Sequence, residues 1–167
     1  LWVSVAILTS SQHSRSPGTY FILPLFVVTV GKIKQELYFP HPLSNGIELE
    51  KFKRNIDLGK KFRETYGYKD YDKVIIGIGL YIERKGIVDF VEIAKRMPEY
   101  KFIWFGYSPL TVATKVVKDA VQTKLDNLIF AGYVEADMIV GAMSGCDLYL
   151  FPTLEETEGI PAIEACA

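Results

Sequence analysis

The sequence predicts an α/β fold in which a parallel, Rossmann-like sheet is covered by helices on both of its faces. From Asp72 onward, short strands rich in β-branched and aromatic residues alternate with longer segments whose apolar residues recur at helical spacing. The strand sequences, such as KVIIGIGL at 73–80, are apolar along most of their length, as in strands buried on both faces. Short connections between these strands and helices are typical of a parallel sheet.

The elements of this sheet follow one another in order along the chain. Strands are predicted at 73–80, 101–107, 127–134 and 147–152. Helices are predicted at 86–97, 110–125 and 136–146, and another begins within 158–167. Ligands of such sheets bind beyond the carboxyl ends of the strands. The candidate site therefore consists of the loops at 80–86, 106–110, 132–135 and 153–159.

Residues 41–71 are predicted to be a connector and a lead-in helix. The pair Asn45-Gly46 is a strong turn signal, because both residues tolerate a positive φ. A charged helix is predicted over 49–66, with Gly67 as the glycine that follows its C-terminus.

Residues 1–40 contain two apolar runs separated by the polar segment SQHSRSPG, and no function is assigned to them. Each run is shorter than the ~20 residues that a membrane span needs, and Pro24 interrupts the second run. Residues 72–167 are predicted to form the ligand-binding domain. Because the chain begins with Leu and ends inside a predicted helix, we expect it to be part of a longer polypeptide, with this domain truncated at its C-terminus.

The composition excludes several classes of function. The chain has 19 Lys and Arg residues against 20 Asp and Glu residues. It therefore lacks the overall positive charge that would predict a nucleic-acid partner. Cys146 and Cys166 do not have the CxxC spacing of redox or metal sites. They are predicted to be reduced, small apolar residues of a cytosolic protein. No metal site is predicted. The chain contains neither GxGxxG nor a Walker A sequence, which disfavours nicotinamide dehydrogenases and P-loop enzymes.

The loop LYIERKG at 80–86 is a candidate phosphate-binding loop. Arg84 and Lys85 precede Gly86, where a helix begins, and two cations beside a helix N-terminus suit a diphosphate. A solvated basic turn is the alternative interpretation of this loop alone. Gly106, at the end of the second strand, indicates a turn or a close approach of a ligand.

The C-terminal segment FPTLEETEGIPAIEACA has two acids, Glu156 and Glu164, on either side of Gly159. Glu164 lies between one and two turns into the helix, so its side chain tilts back toward the helix N-terminus and can share a pocket with Glu156. The amides of Gly159 and Ile160 would face an anion in that pocket. A capped, acidic helix N-terminus is the alternative, and it is favoured for the two remaining acids, Glu155 and Glu158.

Residues 41–167 resemble the C-terminal, donor-binding domain of retaining GT-B glycosyltransferases of the group 1 type. The resemblance rests on SNGIELEKF, IGLYIERKGIVDF, AGYV and DLYLFPTLEETEGIPAIEACA, the last of which matches an E-x7-E motif. YIERKG, FIWFGY and EETEGI are most similar to bacterial diacylglycerol α-glucosyltransferases. The fold implied is one incomplete half of a GT-B enzyme.

The resemblance implies a role for each matching residue. Lys85, supported by Arg84, would contact the donor diphosphate, and Lys85 and Glu156 would form the catalytic set. The remaining donor-binding residues implied are Gly106, Val134, Gly159, Ile160 and Glu164, with backbone at Val134 meeting the nucleobase and Glu164 meeting the ribose hydroxyls. The group commonly has an arginine at the position of Leu80, and Arg84 is the candidate to replace it.

The implied reaction moves a hexose, glucose by the same resemblance, from UDP-glucose to a membrane glycolipid or diacylglycerol with retention of configuration. No cofactor or metal is implied. The implied partners are the nucleotide-sugar, the acceptor lipid or sugar, and an N-terminal acceptor domain of the same chain. The implied location is the cytoplasm, with peripheral contact at the inner membrane face. The alternatives are a GT-B phosphorylase, a UDP-sugar epimerase, or a non-catalytic nucleotide-binding fragment, since this fragment alone is expected to be inactive.

Overall fold

The structure, a computed structural model, describes residues 4–7, 26–28, 49–155 and 159–166 of the chain. Within them the strands are β1 Ser4–Ile7, β2 Phe26–Val28, β3 Val74–Ile78, β4 Lys101–Phe105, β5 Leu128–Gly132 and β6 Leu148–Phe151. The helices are α1 Leu49–Phe52, α2 Ile56–Thr65, α3 Ile87–Arg96, α4 Lys115–Val121, α5 Ala136–Gly145 and α6 Ile160–Cys166. Two 3₁₀ turns lie at Glu83–Lys85 and Leu110–Val112.

The strands form one sheet in the order β2-β1-β6-β3-β4-β5. All four strands predicted from the sequence are present and pair in parallel, each a few residues shorter than predicted. β1 adds to the free side of β6 in parallel, and β2 pairs with β1 in the antiparallel direction. The predicted parallel α/β sheet is therefore confirmed, with two strands from the segment that had no assigned function.

Side chains of successive strand residues alternate between two apolar cores, one on each face of the sheet. One core joins α2, α5 and α6 to the sheet, and its strand residues are Val74, Ile76, Ile103, Phe105, Tyr149 and Phe151. The other core joins α3 and α4 to the sheet, and its strand residues are Ile75, Phe102, Trp104 and Leu150. Both faces are thus covered, which explains why the strand sequences are apolar rather than alternating.

The chain reverses its direction of travel across the sheet at β3. From β3 it moves outward through α3, β4, α4 and β5, and it then returns through α5 on the opposite face. That return places β6 on the other side of β3. In open α/β sheets, a crevice for ligands forms outside the carboxyl ends of the two strands at such a switch point. Here the two strands are β3 and β6.

The helix predicted over 49–66 is wrong in one respect, because the structure divides it into α1 and α2. The side chain of Asn55 accepts a hydrogen bond from the amide of Leu58 at 3.0 Å and so caps the start of α2. The predicted C-terminal glycine is confirmed: Gly67 has φ 71°, and the Tyr68 amide reaches back to the Arg63 carbonyl at 2.8 Å. The predicted Asn45-Gly46 turn lies outside the described residues.

The helix predicted over 110–125 is also corrected. The chain makes a 3₁₀ turn at Leu110–Val112, becomes extended, and then forms the shorter helix α4. The break occurs at Thr114, whose hydroxyl caps α4 by accepting from the Val117 amide at 3.5 Å. A threonine that bonds to the backbone ahead of it favours a helix start over a helix interior. The helices predicted at 86–97 and 136–146 are confirmed as α3 and α5.

Candidate functional site

The crevice between β3 and β6 is bordered by the segment after β3, residues 79–86, called here the β3 loop. Its 3₁₀ turn carries both predicted cations: Arg84 is exposed, and Lys85 is partly buried with its stem against Gly79. A Cβ atom at Gly79 would lie 3.1 Å from the Cβ of Lys85. The missing side chain at Gly79 therefore leaves room for the lysine to lie across the end of β3.

The β3 loop is fastened directly to the segment after β6, whose described part is 152–155, called the β6 loop. The amide of Leu154 donates a hydrogen bond to the carbonyl of Arg84 at 2.9 Å. Gly86 has φ 73°, and a Cβ there would lie 2.0 Å from the carbonyl oxygen of Pro152. Any other residue at position 86 would be strained and would force the two loops apart. The turn that carries the cations thus lies against the first residues of the acidic segment.

On its other side, the β3 loop is held by the segment after β4, residues 106–114, called the β4 loop. The Ser108 hydroxyl accepts from the Tyr81 amide at 3.0 Å, and the Thr114 hydroxyl donates to the Glu83 carboxylate at 2.5 Å. The indole of buried Trp104 donates to the Gly79 carbonyl at 2.9 Å. These contacts fix the position of the cationic turn from the β4 side.

Gly106 lies in a turn, as the sequence predicts, and the backbone of Gly79 approaches it closely. Its φ is 112°, and a Cβ there would lie 2.2 Å from the carbonyl oxygen of Gly79. Its amide donates to Gly132 at 2.7 Å, just before the predicted nucleobase contact at Val134. The Val134 side chain packs against the core that joins α2, α5 and α6 to the sheet. The structure therefore places Gly106 and Val134 in the loops at the carboxyl ends of β4 and β5.

At the C-terminal end, Gly159 has φ 64° and Ile160 begins α6, as predicted. The partly buried Glu164 lies in α6, which packs against α1. Loss of hydration raises the pKa of the Glu164 carboxyl above its usual range, while the charge of Lys51 in α1 lowers it. The Glu164 carboxylate is therefore partly desolvated where α6 packs against α1. Glu156, the other acid of the motif, lies outside the described residues, as does Glu158.

Sequence reasoning missed the residues that support the cationic turn. The sequence pattern places Ser108 in the loop at 106–110 without a role of its own, and it places Thr114 inside the continuous helix predicted over 110–125. A threonine just before the apolar pattern of α4 is a helix-start signal, so Thr114 could have been found as a cap. Its bond to Glu83, 31 residues earlier, has no signal in the sequence.

Two further observations concern surfaces away from the crevice. A cavity of about 160 Å³ lies near the amino ends of β4 and β5, at the opposite edge of the sheet, and its lining includes Tyr68, Lys101 and Asn127. Across the described ranges, none of the helices combines the length and the apolar character that crossing a membrane requires.

Comparison with known proteins agrees with this geometry. Residues 60–167 match the family described as Glycosyl transferases group 1, and the chain belongs to this family. The predicted family is thereby confirmed, and the predicted similarity to diacylglycerol α-glucosyltransferases is confirmed by a relative in sequence.

Two relatives that are similar in sequence are named for glucosyl transfer involving diacylglycerol and for the synthesis of a galactosylglucosyl diacylglycerol. The chain is 42% identical over 125 residues to the processive diacylglycerol alpha-glucosyltransferase of Acholeplasma laidlawii, covering 75% of this chain and 38% of that protein. It is 29% identical over 110 residues to the alpha-galactosylglucosyldiacylglycerol synthase of Streptococcus pneumoniae (strain ATCC BAA-255 / R6), covering 64% and 29%. The chain thus spans well under half the length of either relative.

Solved structures of the same fold are more distant in sequence. HepE of Anabaena in complex with UDP and glucose superposes with a TM-score of 0.55 at 18% identity, over 74% of this chain and 35% of that one. The sucrose-phosphate synthase of Thermosynechococcus elongatus superposes with a TM-score of 0.56 at 20% identity, over 72% and 31%. The predicted fold, a Rossmann-like parallel sheet that forms one half of a GT-B fold, is confirmed.

Proposed function

We propose that this chain forms the donor-binding part of a glycosyltransferase that moves glucose from UDP-glucose to a diacylglycerol-type acceptor. The observation that carries the proposal is the joining of the β3 and β6 loops at the switch point, through the Leu154–Arg84 hydrogen bond. It sets two cations, Arg84 and Lys85, beside the segment that leads into the E-x7-E motif. The similarity to a diacylglycerol α-glucosyltransferase favours this donor and this acceptor.

The chemistry expected of this crevice is stabilisation of a leaving nucleoside diphosphate. As the bond from the sugar to the phosphate breaks, negative charge develops on the diphosphate, and positioned cations lower the energy of that state. Arg84 offers a planar fork of donors, and Lys85 offers a compact charge. Glu156 would accept hydrogen bonds from hydroxyls of the donor sugar, and Glu164 would accept them from the hydroxyls of the ribose.

Retention of the anomeric configuration is proposed on the family resemblance, with the departing phosphate helping to take the acceptor proton. In this scheme the two glutamates position the donor, and the chain needs no cofactor besides its substrate. The acceptor would be met at the inner face of a membrane by a further domain of the full-length enzyme.

The test is calorimetric titration of the chain with UDP and UDP-glucose. We expect binding of both, and we expect Lys85→Ala to weaken it about tenfold through the loss of a charge-assisted contact. Lys124→Ala is the matched control, since Lys124 is an exposed lysine just before β5, at the opposite edge of the sheet, and should leave binding unchanged. No heat with millimolar UDP would overturn the donor assignment and favour an inert fragment.

The acceptor and the stereochemistry are tested with the natural polypeptide that carries this sequence. Radiolabelled UDP-glucose and vesicles containing diacylglycerol should give a labelled α-glucosyl lipid, with the anomeric configuration established by NMR. Turnover that requires inorganic phosphate, or conversion of the UDP-sugar without an acceptor, would instead identify a phosphorylase or an epimerase.

A further inference from the structure

The hydrogen bond between Thr114 and Glu83 is a tertiary contact with no part in the sheet or its cores. The Thr114 hydroxyl donates to one carboxylate oxygen of Glu83 at 2.5 Å, across 31 positions of sequence. Both residues are exposed, so the contact contributes little apolar burial. An effect of this contact on the crevice would come from where it holds the Glu83 carboxylate.

Glu83 occupies an electrostatically unfavourable position for a diphosphate site. It is the first residue of the 3₁₀ turn whose next two residues are Arg84 and Lys85. A carboxylate turned toward these cations would compete with a phosphate for them and would repel the phosphate directly.

The structure holds the carboxylate against the β4 loop, on the side of the turn opposite the β6 loop. The crevice lies between β3 and β6, whereas Thr114 belongs to the β4 loop, and β4 is on the other side of β3. The hydroxyl has a single proton, which it gives to Glu83, and its oxygen accepts from the Val117 amide at the start of α4. The helix cap therefore orients the hydroxyl toward the acid.

We propose that Thr114 is a positioning residue for donor binding, which acts by holding the Glu83 carboxylate away from Arg84 and Lys85. This inference rests on the proposed function of the crevice. Neither Thr114 nor Glu83 needs to touch the nucleotide for the effect, because the effect is exerted through the charge beside the phosphate site.

The test measures the affinity for UDP in variants at both positions by titration calorimetry. Thr114→Val removes the hydroxyl and releases Glu83, and binding should weaken about three- to fivefold, the range of one solvent-exposed charge interaction. Thr114→Ser retains the hydroxyl and should bind UDP as the wild type does. The double variant Glu83→Gln/Thr114→Val should recover an affinity within about twofold of the wild type.

Thermal unfolding separates this role from a purely structural one. Loss of the cap lowers the Tm of Thr114→Val, and Glu83→Gln cannot restore that cap, so the double variant should recover affinity without recovering Tm. If Thr114→Val does not fold, Thr114→Gly replaces it, because glycine is tolerated at a helix N-cap and also lacks the hydroxyl.

The outcomes distinguish the inference from the function on which it rests. A wild-type chain that does not bind UDP overturns both. A wild-type chain that binds UDP and is weakened by Lys85→Ala, with Thr114→Val binding equally well, overturns only the role of Thr114. A double variant as weak as Thr114→Val does the same, because the released carboxylate would then not be the cause.

Discussion

The amide of Leu154 donates a hydrogen bond to the carbonyl of Arg84 at 2.9 Å, and this contact joins the loops that follow β3 and β6. These two loops are about 70 residues apart in sequence, yet they meet because their strands are neighbours at the switch point of the sheet. This adjacency brings the cations of the β3 loop beside the described residues of the β6 loop.

Removing that contact should weaken donor binding. Leu154→Pro eliminates the amide proton, and we expect the affinity for UDP to fall about tenfold as the cationic turn loses one of its supports. Titration calorimetry measures the change. Leu154→Ala retains the amide, and because 46% of the Leu154 surface is exposed, this control should bind UDP like the wild type. Equal binding by the proline variant would show that the turn is positioned without this contact.

A side chain at position 86 should destabilise the fold. Gly86→Ala places a Cβ atom 2.0 Å from the Pro152 carbonyl oxygen in a backbone conformation with φ 73°, and we expect a loss of about 3 kcal/mol or more. The matched control is Gly67→Ala, which has φ 71° with nothing within 4 Å of the added atom. It should cost only about 1 kcal/mol. Urea unfolding of both variants checks the difference, and equal losses would contradict the close approach of the two loops.

Glu164→Gln should stabilise the chain while weakening its affinity for UDP. Burial raises the pKa of Glu164 from 4.5, so the folded chain binds protons more tightly than the unfolded chain, and stability falls as pH rises through the folded pKa. The variant should therefore have a higher Tm at pH 7 than the wild type, and the difference should disappear below pH 4.5. Thermal unfolding across this pH range measures the effect.

A weaker affinity for UDP in the same variant would show that the partly buried carboxylate of Glu164 contributes to ligand binding. A gain in Tm with unchanged affinity would contradict the proposed contact with the ribose. A lower Tm at pH 7 would contradict the burial argument itself.

The two cysteines should differ in their reactivity toward a thiol reagent. Cys146 is buried, and loss of hydration, with a smaller effect of Asp147, raises the pKa of its thiol to about 12. Cys166 is exposed in α6, although partial loss of hydration raises the pKa of its thiol as well, so its faster reaction would come from its accessibility. In the native chain we expect one thiol to react rapidly, and both to react in denaturant. Cys166→Ser should then leave a native chain with no rapidly reacting thiol; rapid reaction of that variant would show that Cys146 is accessible.

The order and type of the helices and strands depend on residues that are close to one another in the sequence. The apolar strand segments, the helical spacing between them and a glycine such as Gly67 each act through neighbours in the sequence, so the α/β fold and the Rossmann-like sheet could be predicted from them. The errors occurred where the side chain of a polar residue caps a new helix inside a predicted one. Asn55 and Thr114 each bond to the backbone ahead of them and start a new helix inside a predicted one.

The sequence by itself determined the two apolar cores, the cations of the turn and the family of the chain, because these depend on residue type and spacing. Only the tertiary structure decided which loops meet: Arg84 with Leu154 on one side, and Glu83 with Thr114 on the other. The physical reason is that the order of strands in a sheet is set by packing across the whole domain. A contact between residues 31 or 70 positions apart leaves no periodic pattern in the chain.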